Sequence, residues 1–323
     1  LIIGIGTNEA GQRLDKFLRK LLTDVPLSAI FKALRKGDIR INGKKQKENY
    51  ALQLNDIIEI KYLKSNQEEI NKKPKFIKVD ATGMKIIYED DNLIVVEKWP
   101  GVLIHPDQKS EEPTLTDFVL SYLNEKGAYL PDKEVTFTPA SCNRLDRNTS
   151  GIVMFGKTFE GLRTLNEMIR ERKVEKYYMT LVTGKVKDGI YTGYIKKNED
   201  VNISKVYDEE IPNSKKIAME VKTIQTNTAY SLVEIDLITG RSHQIRAHMA
   251  HLGHGVIGDN KYGDKKLNSF FASKFGLNYQ FLYAYKLIFR DAPGKMEYLN
   301  NKTVAAALPP IFKKIKTDVF KFR

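Results

Sequence analysis

Cys142-Asn143-Arg144-Leu145-Asp146-Arg147-Asn148-Thr149-Ser150-Gly151 sets one carboxylate between two guanidiniums, follows it with small polar residues and a glycine, and runs into apolar Ile152-Val153-Met154-Phe155. Opposite charges within a few ångströms favour an ionised carboxylate, so Asp146 is expected as an anion at neutral pH, held by Arg144 and Arg147. An anion suits a nucleophile and not a general acid. The plainer alternative is a surface loop with an ordinary Arg-Asp pair, and on these ten residues alone that reading prevails. The remaining chain has to shift the balance.

The chain has 323 residues, enough for two domains, with an ordinary globular composition of 41% hydrophobic and 29% charged residues. Its 53 Lys and Arg against 40 Asp and Glu leave +13. A field of that sign attracts polyanions, with nucleic acid ahead of an anionic membrane because no long amphipathic basic helix is present in the pattern. Cys142 is the single cysteine, which rules out an intrachain disulfide and a cysteine-built zinc site. The opening Leu-Ile-Ile-Gly-Ile-Gly does not read as a signal peptide, and no run of about 18 apolar residues occurs, so a cytoplasmic protein without a membrane partner is expected.

From Arg13 to Leu22, Leu14, Phe17, Leu18, Leu21 and Leu22 fall on one helical face, with Arg13, Lys16, Arg19 and Lys20 opposite. A second helix is expected from an N-cap at Ser28 to a stop at Gly37, with Lys32, Arg35 and Lys36 outward. Ile39-Arg40-Ile41 alternates as a strand before the turn Asn42-Gly43 and Lys44-Lys45, and Leu54 to Ile60 reads as a turn and strand. Residues 1–64 carry 13 Lys and Arg against 7 Asp and Glu, so +6 of the total +13 sits in a fifth of the chain. This pattern, and Lys36 to Lys44 above all, resembles the small alpha-L RNA-binding module. The resemblance implies phosphate contacts from Arg13, Lys16, Arg35, Lys36, Arg40, Lys44 and Lys45, which supply affinity more than sequence choice. Residues 65–82 shift to Gln, Glu, Asn and Lys with little apolar periodicity and read as a linker, leaving 83–323 as a second domain.

In that second part Met84 to Tyr88 and Leu93 to Lys98 read as strands, Leu115 to Leu123 as a helix, Ala128 to Pro139 as a loop, Leu162 to Arg172 as a helix and Glu175 to Val182 as a strand. On such a strand Lys176 and Tyr178 share a face. The stretch from Gly184 to Ile217 is polar, poorly periodic and uninformative. Tyr230 to Leu237 alternates as a strand and leads through Gly240 into a helix with Ile245, Met249 and Leu252 inward. Phe281 to Phe289 reads as a last core strand, and Pro309-Pro310 opens a closing amphipathic helix.

Three runs carry a second resemblance: Tyr88 to Pro106, the opening stretch extended to Thr158, and Gly240-Arg241-Ser242-His243-Gln244-Ile245-Arg246-Ala247-His248 with Gly253 to Gly263. They are similar to the ribosomal large subunit pseudouridine synthases that carry an N-terminal RNA-binding module. The family's usual histidine is replaced by Asn143, and Tyr283 stands where histidine is common. The resemblance implies an α+β fold, with the small alpha-L RNA-binding domain followed by a catalytic domain on a central, largely antiparallel mixed sheet flanked by helices. It implies Asp146, Tyr178 and Arg246 as catalytic residues, Arg246 being the basic residue paired with the aspartate, with Arg144, Arg147, Lys176, Arg241, His243, Gln244 and Leu282 around the substrate. Conversion of uridine to pseudouridine in large-subunit ribosomal RNA follows from it, by a monomer with no cofactor and no metal. His248, His251 and His254 are three apart, but Gly253 and Gly255 are expected to break their helix, and no zinc signature accompanies them. Two rival readings use the same residues. A non-catalytic ribosome-assembly factor would share the charge and the module, and a carboxylate-based glycosidase would need a second acid that no motif supplies beside Asp146.

Overall fold

The computed structural model describes residues 1–61, 76–107 and 112–321. At the N-terminus β1 (Ile2–Gly4), α1 (Leu14–Leu21), α2 (Leu27–Lys36), β2 (Ile39–Ile41) and β3 (Ile57–Ile60) form a unit whose antiparallel strands run β1-β3-β2. Phe17 and Leu18 of α1, Ile30 and Leu34 of α2 and Ile41 and Ile58 of the sheet close one core, on the faces that periodicity assigns inward. Ser28 is not the cap of α2. Pro26, whose ring fixes φ near −57°, takes that position, and Ser28 falls inside the first turn. Gly37 does end the helix, in the left-handed region at φ 84°.

This unit is fastened to the rest of the chain. Buried Glu9 accepts backbone N–H bonds from Val135 and Thr136 at 3.2 and 3.3 Å. Asn8 donates to Glu134 at 2.8 Å and accepts from the Phe159 N–H at 3.2 Å. Of the expected linker, residues 65–75 lie outside the described residues. From Phe76 onward the chain is docked rather than free: Ile77 and Val79 donate backbone N–H bonds to Asp117 Oδ1 and Ser121 Oγ of α3 (Leu115–Glu125), and Phe76 packs on the core beneath. These bonds use polar side chains of the helix, which apolar periodicity does not register.

Among the described residues the large sheet has eleven strands: β4 (Ile86–Glu89), β5 (Leu93–Lys98), β6 (Ala140–Ser141), β7 (Ser150–Gly156), β8 (Val174–Thr183), β9 (Gly189–Asn198), β10 (Ile203–Tyr207), β11 (Lys215–Thr226), β12 (Tyr230–Asp236), β13 (Leu282–Phe289) and β14 (Thr303–Ala305). Their order is β10-β9-β11-β12-β8-β13-β7-β5-β4, with β14 on β13 and β6 on β7. The stretch from Gly184 to Ile217 therefore contains two strands and the start of a third. Gly193, Ile195, Ser204, Val206 and Ile217 face inward there, and the small or hydroxylated members of that set hide the alternation. β13 is not the last strand, because β14 returns beside it. Helix α4 runs Phe159–Arg170, earlier than expected at both ends, because Thr158 caps it by accepting the Gly161 N–H. Helices α5 (Gln244–His251), α6 (Lys265–Phe275) and α7 (Pro310–Val319) complete the unit.

Every strand pairing in this sheet is antiparallel except β13 with β7. All seven residues of β7 are buried, with Ile152 and Met154 in one core and Val153 and Phe155 in another. Asn143 explains itself here. Its side chain accepts the Met154 N–H at 2.8 Å and donates to the Ile152 carbonyl at 3.4 Å, prolonging the β6 ladder along β7 with an amide that imitates backbone.

The parallel joint depends on Gly151. A Cβ there would lie 2.2 Å from the Ala284 carbonyl oxygen and 2.5 Å from its nitrogen, at a φ of 125°. Neither backbone atom can rotate away as a side chain would. Gly151→Ala should therefore cost about 3 kcal/mol or more, read as a lower urea midpoint and melting temperature; a variant as stable as wild type would show that the two strands can separate without penalty.

Candidate active site

Asp146 sits in the turn that joins β6 to β7, closed by the Thr149 N–H bonding back to the Asp146 carbonyl at 3.0 Å. Three neighbours hold this turn. Lys98 Nζ donates to the Arg147 carbonyl at 2.7 Å, Gly101 N–H donates to the same oxygen at 3.0 Å, and Gln280 donates to Thr149 Oγ1 at 3.0 Å. The turn thus lies at the parallel joint, where β5, β7 and β13 all contribute to fixing it.

The two arginines beside Asp146 in sequence do not hold it in space. Arg147 turns to the Gly101 carbonyl and to Glu112, and Arg144 is exposed. The partner is Arg246, from α5. Its Nη1 donates to Asp146 Oδ2 at 2.8 Å, while Nε and Nη2 grip Asp259 at 2.6 and 2.9 Å. Arg246 and Asp259 are buried, and the Asp146 side chain keeps 26% of its surface open to solvent. Burial alone would lower the basicity of Arg246, but Asp259 and then Asp146 outweigh it and the guanidinium is held charged more firmly than usual.

Asp259 has no role of its own in the sequence reading, yet its carboxylate accepts four N–H bonds. Besides Arg246 it accepts the backbone N–H groups of Lys261 and Tyr262 at 2.9 and 3.1 Å. A buried ion pair survives where its remaining lone pairs are filled in this way. Asp259 aims the arginine and leaves one nitrogen for Asp146.

Tyr178 of β8 is buried in a cluster with Leu282 and Ala284 of β13 and with Ile245 and Met249 of α5. Burial, and then the charge of Asp146, push its phenol up and keep it protonated. His243 precedes α5 with its Nε2 4.0 Å from Asp146 Oδ2. The structure therefore brings together Asp146, Arg246, His243, Tyr178 and Leu282. It does not bring the others to the carboxylate. Gln244 spends its amide inside the protein, accepting from Thr239 and from the Arg241 N–H and donating to the Ala218 carbonyl. Lys176 donates to the Val174 carbonyl and feels Asp236, and Arg241 is exposed.

The clustered histidines disperse as well. His251 meets Asp208, His254 meets the Thr183 carbonyl, and His248 is buried edge-on to Tyr191. Among the described residues no group of three or more His, Cys, Asp or Glu is placed to hold a metal. On the N-terminal unit Arg13 pairs with Asp15, Arg40 bonds the Gly37 and Gly43 carbonyls, and Lys16, Arg35, Lys36, Lys44 and Lys45 are exposed.

A small basic unit of two helices and three strands, fastened to a mixed sheet that presents an arginine-bound aspartate, defines an α+β enzyme carrying its own RNA-binding module. The comparisons agree. Residues 92–251 match the RNA pseudouridylate synthase family and residues 12–58 match the S4 domain. The chain is similar to "Ribosomal large subunit pseudouridine synthase C" of Vibrio vulnificus, 33% identical over 321 residues that cover 98% of this chain and 97% of that protein. It is also similar to the protein of the same name from Escherichia coli K12, 33% identical with 92% and 91% covered. A solved structure titled "Human RNA Pseudouridylate Synthase Domain Containing 4" shares the fold at a TM-score of 0.57 and 22% identity, with 71% of this chain and 90% of that one covered. The chain belongs to the RNA pseudouridylate synthase family.

Lys98 is the residue that sequence reasoning passes over. It is wholly buried, gives its Nζ to the Trp99 and Arg147 carbonyls at 3.1 and 2.7 Å, and is pushed down to about 7 by burial against the opposing pull of Asp146. A neutral amine has two N–H groups, which match two carbonyls. Because the folded value lies below the unfolded one of 10.5, the unfolded chain keeps a proton that the folded protein releases. The associated stability is absent below about pH 7 and grows by up to about 1.4 kcal/mol per unit as the pH rises toward the unfolded value. Urea unfolding between about pH 6 and 9 should show wild type gaining on Lys98→Met; parallel curves would mean the amine stays charged when buried.

Proposed function

We propose that this protein isomerises particular uridines of large-subunit ribosomal RNA to pseudouridine, as a cytoplasmic monomer, with Asp146 as the residue that initiates the reaction. The observation that carries this reading is the Arg246 bridge, which ties the partly open carboxylate of Asp146, inside the family's matched sequence, to the buried carboxylate of Asp259 just beyond it. The chemistry breaks the bond from uracil N1 to ribose C1′, turns the retained base, and forms the bond from C5 to C1′. C5 gives up a proton and N1 ends with one, so no atom is gained and no electron is transferred.

Such a reaction needs an anion beside the sugar and base and walls that retain free uracil. Asp146 meets the first need, with Arg246 fixing one of its oxygens. Tyr178 and Leu282 offer the walls. A phenol kept protonated offers its ring face and its O–H rather than a base, so Tyr178 serves to stack on the uracil. The target base must leave any helical stack to reach this pocket, at a cost of a few kcal/mol, which phosphate contacts of the basic N-terminal unit offset. Exposed Arg144 stands beside the pocket and is placed to meet the RNA the base has left.

Two measurements test the proposal. RNA labelled with 5-tritiated uridine should release tritium with the wild-type protein in the presence of a chelator, and Asp146→Asn should release none above background. Binding of rRNA without tritium release would favour the non-catalytic assembly factor, and free uracil in place of pseudouridine would favour a base-excising enzyme. In parallel, Arg35, Lys36 and Lys44 replaced together by alanine should reduce the slope of log affinity against log salt by about 0.7–0.9 for each phosphate that the variant leaves unneutralised; an unchanged slope would remove the N-terminal unit from the RNA interface.

A further inference from the structure

Beside the carboxylate, a second network runs from the edge hairpin β9–β10 into the site, and the bond-making and bond-breaking steps leave it without a role. Ser204 of β10 is buried and acts twice. Its backbone N–H donates to the Tyr262 hydroxyl oxygen at 2.7 Å, and its own hydroxyl donates to the Ser242 carbonyl at 3.1 Å. Tyr262 Oη in turn lies 2.8 Å from His243 Nδ1, and its ring lies under the Arg246 guanidinium at 5.2 Å. His243 has a left-handed backbone, φ 57° and ψ 15°, a region that residues with a Cβ visit uncommonly. One strand therefore grips both the peptide before this histidine and the phenol bonded to its ring.

The protons of this chain can be assigned by counting donors. A tyrosine hydroxyl has one hydrogen and two lone pairs. Ser204 N–H fills one lone pair. If His243 Nδ1 carried the ring proton, it would fill the other, and the phenolic hydrogen would be left without one of these partners. With the phenolic hydrogen pointed at Nδ1, all three groups are satisfied, and the ring proton then lies on Nε2. Burial favours the uncharged form of both rings, raising the phenol and lowering the imidazole against the pull of Asp146. At 4.0 Å from Asp146 Oδ2, the Nε2–H is too far to be spent on the carboxylate. It is left facing the space where the reacting nucleoside would lie.

Resting on the function proposed above, we infer that Tyr262 is a positioning residue which locks His243 in its Nε2–H form, so that a neutral N–H donor is presented to an oxygen of the uridine next to the Asp146 carboxylate. The hairpin β9–β10 is then part of the active site by way of Ser204. Phenylalanine at 262 would keep the ring, which packs with Ile195, Val206, Ile217 and Ala247 and carries the arginine, and would remove only the hydroxyl.

The test uses the full-length protein. Histidine labelled with nitrogen-15 distinguishes the two neutral forms, since protonated and unprotonated ring nitrogens resonate far apart. Wild type should show His243, assigned by its loss in His243→Gln, as a single Nε2–H species, and Tyr262→Phe should show it averaged between forms. In turnover, Tyr262→Phe should lower kcat by at least about tenfold, the kind of loss that follows a misplaced imidazole proton, with KM for RNA little changed. His243→Gln, which keeps an N–H donor, should retain more activity than His243→Leu. A wild-type tautomer pattern or wild-type kcat in Tyr262→Phe overturns the inference, as does equal activity in the glutamine and leucine variants. A wild-type protein that forms no pseudouridine overturns the functional reading instead, and the nitrogen signals still decide the tautomer.

Discussion

Everything at the site depends on one guanidinium shared by two carboxylates. Arg246 gives two of its nitrogens to Asp259 and one to Asp146, and Asp259 is fully buried while Asp146 is not. The two ion pairs have different jobs. The inner one is held by two parallel bonds and two backbone N–H groups, so the arginine cannot follow the outer carboxylate if that carboxylate moves. Asp146 is thereby offered one strong bond on Oδ2 and left otherwise available. Burial drives His243 and Lys98, beside this pair, toward their neutral forms.

The sheet supplies the rigidity that this arrangement requires. Asp146 lies on a turn, but the turn enters a strand buried on both faces, and its neighbours on β5 and before β13 bond to it directly. The parallel pairing of Ser150 and Gly151 with Tyr283 and Ala284 brings the turn beside Leu282 and Tyr178, which would be remote on a purely sequential meander. Gly151 is the point where two backbones touch. An arginine a hundred positions further along the chain can then be met at a fixed distance.

Much of this is legible in the chain. Asp146, Tyr178, Arg246 and Leu282 are marked by motif, and the structure gathers all four. The misreadings have separate physical causes. Local spacing gives Asp146 to Arg144 and Arg147, but adjacent side chains in a turn diverge; the resemblance points instead to Arg246, a hundred positions away, and the structure pairs the two. Gln244 is assigned to the substrate by its motif, although its amide closes the loop between Thr239 and its own helix. Lys98 ends an apolar strand as a charged residue at its rim, and only the tertiary fold shows that water does not reach it. Strands β9 and β10 are hidden because Gly193 and Ser204 stand at inward positions where apolar residues would have signalled burial.

Those same small residues explain why the edge of the sheet can take part in chemistry. An edge strand has backbone N–H groups with no ladder partner, ordinarily a liability to be shielded. On β10 the N–H of Ser204 is capped by the Tyr262 hydroxyl, and the absence of a bulky side chain at 204 lets the 242–243 peptide approach closely enough to bond it. A larger apolar residue would have made the strand easier to recognise and would have displaced that peptide. The polarity that obscures this segment in the sequence is therefore the feature that joins it to the site: it converts a spare backbone donor at the rim of the sheet into a constraint on the histidine beside Asp146.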